Sequence, residues 1–270
     1  MSLTFVAQPE NEVSSPSFPW PEHRHLFETI CVAGNNALEI HLRLFLLRSL
    51  LEFCDTGILP GVRILYVQAQ VGTVYTPTLA MKIQILQNLN IVLDMLCHPS
   101  LQVETLYLSG PLFYSDWFMH QQITRSFGNL LKSNQLVSLK LNNVENLPRN
   151  ILDGTSIVDL TLIACEVSNT MTYSNTNALR LPSLETIETD KLSVVRTIYP
   201  VGLHSTDGEE PSLKILCLRI DQTDTAGPQV LKEEFDILEE HFSSSIERLC
   251  VMFDPCGAFH IITSTVSFFT

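Results

Sequence analysis

Tyr66, Tyr107, Lys140, Asp159, Glu188, Asp190, Arg219 and Arg248 stand at outward places of one short recurring pattern, and their side chains suit noncovalent recognition of another protein. Phenol rings supply rigid contact area with a polar tip, and guanidinium groups supply directed donors. Tyr and Arg are both favoured at binding hot spots. On the expected strand order, Tyr66 and Tyr107 fall side by side with Lys140 next. Asp159, Glu188 and Asp190 then form an acidic middle, and Arg219 with Arg248 a basic end. Tyr and Thr also suit any strand through their β-propensity, so recognition is assigned to the face as a whole rather than to one residue.

Other groups invite chemistry and are read otherwise. Cys217 and Cys250 hold the same place in consecutive copies of the pattern, where strands about 4.8 Å apart bring two sulfurs close. As metal ligands they want two further partners. No His falls in register and Arg219 and Arg248 carry the wrong charge, so the pair reads as tolerated surface thiols. His23 and His25 in "PEHRH" form an H-x-H pair able to hold zinc, yet no third ligand stands at workable spacing. The carboxylates of "DGEE" at 207–210 and of the segment 233–240 fall in a loop and on a solvated helix face, with no cleft to shift their pKa values. No G-x-x-x-x-G-K-[ST], G-x-G-x-x-G, G-x-S-x-G or H-E-x-x-H occurs. The reading is no enzyme, no cofactor and no metal.

The elements that position these residues follow from "PSLKILCLRI", Pro211 to Ile220, where Leu213, Leu216 and Leu218 give L-x-x-L-x-L. The same triplet recurs as Phe27/Ile30/Val32, Val62/Leu65/Val67, Val103/Leu106/Leu108, Leu136/Leu139/Leu141 and Ile157/Leu160/Leu162. Leu184/Ile187/Thr189 and Ile246/Leu249/Val251 complete the set of eight, with a Thr in one core place. Alternate positions of a strand share one face, so each triplet predicts a short strand with a buried side. The steps between first anchors run from 21 to 41 residues. Leucine-rich repeats usually run 20 to 29, so full helices are expected between most strands.

Helices are predicted over 37–53, 78–97, 117–133 and 228–243, each with apolar residues at helical spacing. The shortest step leaves room only for a turn near Pro148–Leu152. Strand, helix and parallel strand make a right-handed crossover. Repeated, it predicts an α/β leucine-rich repeat solenoid, a horseshoe with a parallel inner sheet and outer helices.

The bulk numbers agree. The chain has 270 residues, 45% hydrophobic and 17% charged, enough for a large core. Its net charge of −13 repels phosphate backbones, so nucleic acid is not expected as a partner. Seven cysteines, an odd number without C-x-x-C, read as reduced thiols of a cytoplasmic or nuclear protein. No N-x-[ST] occurs, no signal peptide opens the chain, and no apolar run reaches transmembrane length, so no membrane role is expected.

The run from Leu101 to Asp254 resembles the repeat region of fungal F-box proteins in "VETLYLSGPLF", "LLKSNQLVSLKLNNVENLP", "SIVDLTLIAC", "LPSLETI", "PSLKILCLRI" and "SSIERLCVMF". The resemblance implies a substrate-recognition domain working in ubiquitin ligation. In that family a separate F-box docks on the Skp adaptor of a cullin ligase. Residues 1–25, with Pro9, Pro16, Pro19 and Pro21, read instead as an irregular lead-in without an F-box. The Skp adaptor is therefore expected as a partner only if an F-box lies outside this chain, as in a repeat portion of a longer protein.

The expected division is a lead-in at 1–25, about eight repeats at 26–255, and an apolar tail at 256–270 that serves as an edge strand. A repeat scaffold unrelated to ubiquitin and an α/β enzyme with a dispersed site stand as the alternatives.

Overall fold

The computed structural model describes residues 4–5, 28–34, 36–53, 62–69, 78–98, 101–109, 121–133, 135–145, 147–148, 152, 154–168, 184–198, 213–221 and 246–254. The protein is mixed α/β and divides into two compact units, Met1–Asn143 and Val144–Thr270.

The first unit contains β1 (Thr4–Phe5), β2 (Thr29–Gly34), α1 (Ala37–Phe53), β3 (Ile64–Ala69), α2 (Leu79–Leu96), β4 (Thr105–Ser109), α3 (Gln121–Lys132) and β5 (Ser138–Asn142). Strands β2, β3, β4 and β5 pair in sequence order and in parallel, with Ile30, Leu65, Leu106 and Leu139 in register. A doubly wound sheet would shuffle that order. Helix α1 packs on α2 and α2 on α3, so successive crossovers lie on one side, as crossovers of a single hand require.

Local chemistry sets the helix starts. Asn36 caps α1 by accepting the Glu39 N–H at 3.0 Å, and Thr78 caps α2 by accepting from Met81 at 3.3 Å. The turn from β2 into α1 needs a glycine, because a Cβ on Gly34 would come within 2.8 Å of Ile40 Cγ1. The helix predicted over 117–133 is described as Gln121–Lys132, with Phe127, Leu130 and Leu131 buried.

The second unit contains β6 (Leu147–Pro148), β7 (Asp159–Ile163), β8 (Val167–Ser168), β9 (Thr186–Thr189), α4 (Leu192–Ile198), β10 (Ile215–Asp221) and β11 (Arg248–Asp254). Strands β7, β9, β10 and β11 are parallel and again in order, with Leu160, Ile187, Leu216 and Leu249 in register. The short step after Leu136 holds β6, which pairs with β8 in a separate two-stranded ribbon.

The anchors form the core. Leu139 and Leu216 are 0% exposed and Leu160 1%. Thr189 is also fully buried in its apolar place. Its hydroxyl accepts the Lys191 N–H at 3.1 Å and lies 3.3 Å from the Lys191 carbonyl, so the buried oxygen is satisfied within its own turn. The last triplet is less enclosed, with Ile246 9% and Leu249 7% exposed and Val251 half-buried. Phe27, the helix expected over 228–243 and the tail at 256–270 lie outside the described residues. Of the lead-in, Thr4 and Phe5 pair antiparallel with Cys31 and Ile30, so part of a segment read as irregular is a strand on the edge of β2. Among the described residues, no helix is long and apolar enough to cross a membrane.

Candidate functional site

The outward side chains of the first unit fall into rows because parallel pairing in register places equivalent residues abreast. Cys31, Tyr66, Tyr107 and Lys140 form the middle row. The two rings meet at 5.5 Å between centroids with planes tilted by 49°, inside the favourable range for aromatic pairs. All four residues are part-exposed. Thr29, Ile64, Thr105 and Ser138 flank the row on one side, and Ala33, Gln68, Ser109 and Asn142 on the other. None of these twelve residues is a carboxylate. Lys140 enters no ion pair among the described residues.

In the second unit the middle row is Thr161, Glu188, Cys217 and Cys250. Asp159 and Arg248 stand at opposite ends of the row Asp159, Thr186, Ile215, Arg248, and both are exposed. The expected acidic middle and basic end do not stay apart. Arg219 reaches back onto Glu188, with Nε 2.5 Å from Oε1 and Nη2 on the same oxygen, while Thr161 donates to Oε2 at 3.3 Å. Asp190 is likewise used internally. Its Oδ2 accepts the Ala164 N–H at 2.9 Å, holding Ala164 at φ 50° in the left-handed region that a non-glycine residue rarely enters.

Three of the thiols, Cys217, Cys165 and Cys97, are shifted away from the thiolate form. Burial, then the hydrogen bond and charge of Cys250 and the charge of Glu188, push Cys217 up to about 12, against the pull of Arg248. Burial first, with Asp190 adding to it, raises Cys165 to about 11. Cys97 is raised by burial and by Asp94. A nucleophilic cysteine needs the opposite shift. His23, His25, the carboxylates at 207–210 and those at 233–240 lie outside the described residues. Among the described residues, no group of three or more His, Cys, Asp or Glu is placed to hold a metal ion.

A second feature escaped the sequence reading. The residue just before three of the parallel strands in each unit carries alternating charge, as Glu28, Arg63, Glu104 in one unit and Glu185, Lys214, Glu247 in the other. Arg63 pairs with Glu104 at 3.5 Å and Lys214 with Glu185 at 3.0 Å. The carbonyl at the same place accepts two successive N–H groups of the next strand. Glu28 takes Arg63 and Ile64, Arg63 takes Glu104 and Thr105, and Lys214 takes Glu247 and Arg248. The signal was present as opposite charges recurring at the second position of the pattern. Comparison with protein-family models and with curated proteins returns no match for this chain.

Proposed function

We propose that the chain is a protein–protein interaction module of the leucine-rich repeat type, a horseshoe solenoid whose outward strand face receives a protein partner. On this reading it is the substrate-recognition domain of an F-box-like ubiquitin ligase receptor in the cytoplasm or nucleus, with no catalytic role. What supports the solenoid is the recurrence in both units of sequence-ordered parallel strands, buried anchors and doubly accepting carbonyls at the strand entrances.

One observation carries the binding reading. Tyr66 and Tyr107 lie ring to ring, part-exposed, beside a Lys140 that no described acid neutralises. Rigid rings held by a strand lose little entropy on binding, which is why such pairs serve as anchors. The experiment is a pull-down from the native cell, with the parent chain compared against the Tyr66→Ala, Tyr107→Ala double variant and against Lys140→Glu. Loss of the same protein band in both variants, with unfolding midpoints unchanged, supports the face. Equal capture by all three chains places recognition elsewhere. Probing the captured material for the Skp adaptor then separates a ligase receptor from a scaffold unrelated to ubiquitin.

A further inference from the structure

We propose that Cys217 and Cys250, with Met252 beside them, form a binding site for a soft, low-coordinate monovalent ion, copper(I). The proposal concerns the outward row of the second unit and does not rest on the reading of Tyr66, Tyr107 and Lys140 above.

Three observations carry it. First, the two thiols stand abreast on neighbouring parallel strands, in direct register. Metal–thiolate bonds of about 2.3 Å place two sulfurs on one ion up to about 4.6 Å apart, which matches a strand spacing of about 4.8 Å. The site is thus built by the register and needs no rearrangement of the sheet.

Second, a third sulfur donor shares the face. Met252 lies two residues beyond Cys250 on the same strand and therefore on the same face. It is part-exposed, and its thioether arm is long and flexible. The carboxylate abreast of Cys217 on its other side, Glu188, is engaged by Arg219 and Thr161. No described cluster offers the three or four His, Cys, Asp or Glu ligands that zinc takes. Thiolate and thioether donors select copper(I), and two or three of them satisfy it.

Third, the charge fits. Binding displaces both thiol protons and leaves a bis-thiolate copper(I) group of charge −1. Arg248 lies two residues before Cys250 on the same face and brings a fixed positive charge to the side of the strand where that anionic group would form.

The test uses the full chain, reduced and free of oxygen, titrated with copper(I) in competition with bicinchoninate. The expected result is one tightly held equivalent that the Cys217→Ser, Cys250→Ser double variant loses. Met252→Leu lowers the affinity by about tenfold, the scale on which supporting residues tune metal sites. In parallel, the parent chain is alkylated with and without copper(I) and mapped by mass spectrometry, which needs no variant to fold. Protection confined to Cys217 and Cys250, with Cys31 and Cys97 still labelled, supports the site. Retention of the equivalent by the folded double variant, protection spread over the other thiols, or equal competition by zinc overturns it.

Discussion

The middle rows of the two units are built alike and spent differently. In the first unit Cys31, Tyr66, Tyr107 and Lys140 make one internal pairing, between rings, and leave the single charge without a described counter-ion. In the second, Glu188 is tied to Arg219 and Thr161, and Asp190 holds a strained turn. An outward carboxylate that already accepts from its neighbours has little left for a partner, because binding must first break those bonds. The same fold element thus presents one face whose polar side chains make few bonds to each other and one whose charges are largely engaged among themselves. The connections differ too. Helices of 17, 18 and 12 residues link the strands of the first unit. The described links of the second include a two-stranded ribbon and a seven-residue helix.

If the cores of the two units are equivalent, truncating one central anchor in each should cost the same. Leu139→Ala and Leu216→Ala each remove a fully buried side chain. Each is expected to lose about 2–5 kcal/mol in urea unfolding. A loss under about 1 kcal/mol at Leu216 with a full loss at Leu139 would break the equivalence.

The anchors were legible because burial on one face of a strand enforces a period of two, and the triplets keep that period in every copy. Thr189 looked like the weakest place, since composition cannot show that Lys191 satisfies the hydroxyl. The two-residue strands β1, β6 and β8 and the short α4 were not read at all. Elements of that length carry no periodicity and are fixed by pairing and packing. The Arg219–Glu188 pair was within reach once register was assumed, because Arg219 lies two residues past Cys217, the residue abreast of Glu188. Residue positions alone do not show it, because outward groups on adjacent strands compete for one another. The outward rows themselves could be placed by residue number, but which of their charges pair with one another is a question of geometry.

The second expectation separates the units by pH. Cys165 belongs to the second unit, and its folded pKa of about 11 lies above an ordinary 9.0. A raised thiol pKa means that the unfolded chain loses its proton first. The contribution to stability is intact below pH 9 and is lost as pH rises from 9 toward 11, by roughly 3 kcal/mol at the upper end. Unfolding of Cys165→Ala measured over the same window should fall less steeply than that of the parent. Parallel curves would show that the buried thiol does not set the slope.

A smaller effect is expected at Glu188→Gln. The pair with Arg219 is part-exposed, so its loss should cost about 1 kcal/mol, reduced further by salt. The informative readout is Arg219, which becomes free. If occupation is what silences this face, Glu188→Gln should gain affinity for an acidic probe such as a poly-glutamate peptide while the parent does not. Equal binding by both chains would mean that internal pairing is not what distinguishes the rows.

The smallest expected effect lies at the strand entrances, where both units carry the same alternation of charge. Arg63 and Glu104 are about half exposed, as are Lys214 and Glu185. Water screens each pair, and holding long side chains costs entropy, so each should contribute only about 0.2–1 kcal/mol. The backbone carbonyls at the same places accept two N–H groups each and do not depend on side-chain charge. Reversing one charge, Arg63→Glu in the first unit or Lys214→Glu in the second, places like charges on adjacent strands, which is mildly unfavourable. Both reversals should lower the unfolding midpoint slightly in dilute buffer, and the difference from the parent should fade in 1 M salt, where the screening length is about 3 Å. A reversal that costs several kcal/mol and ignores salt would show that the ladder fixes strand register in that unit, and the two units would then differ in how their strands are aligned.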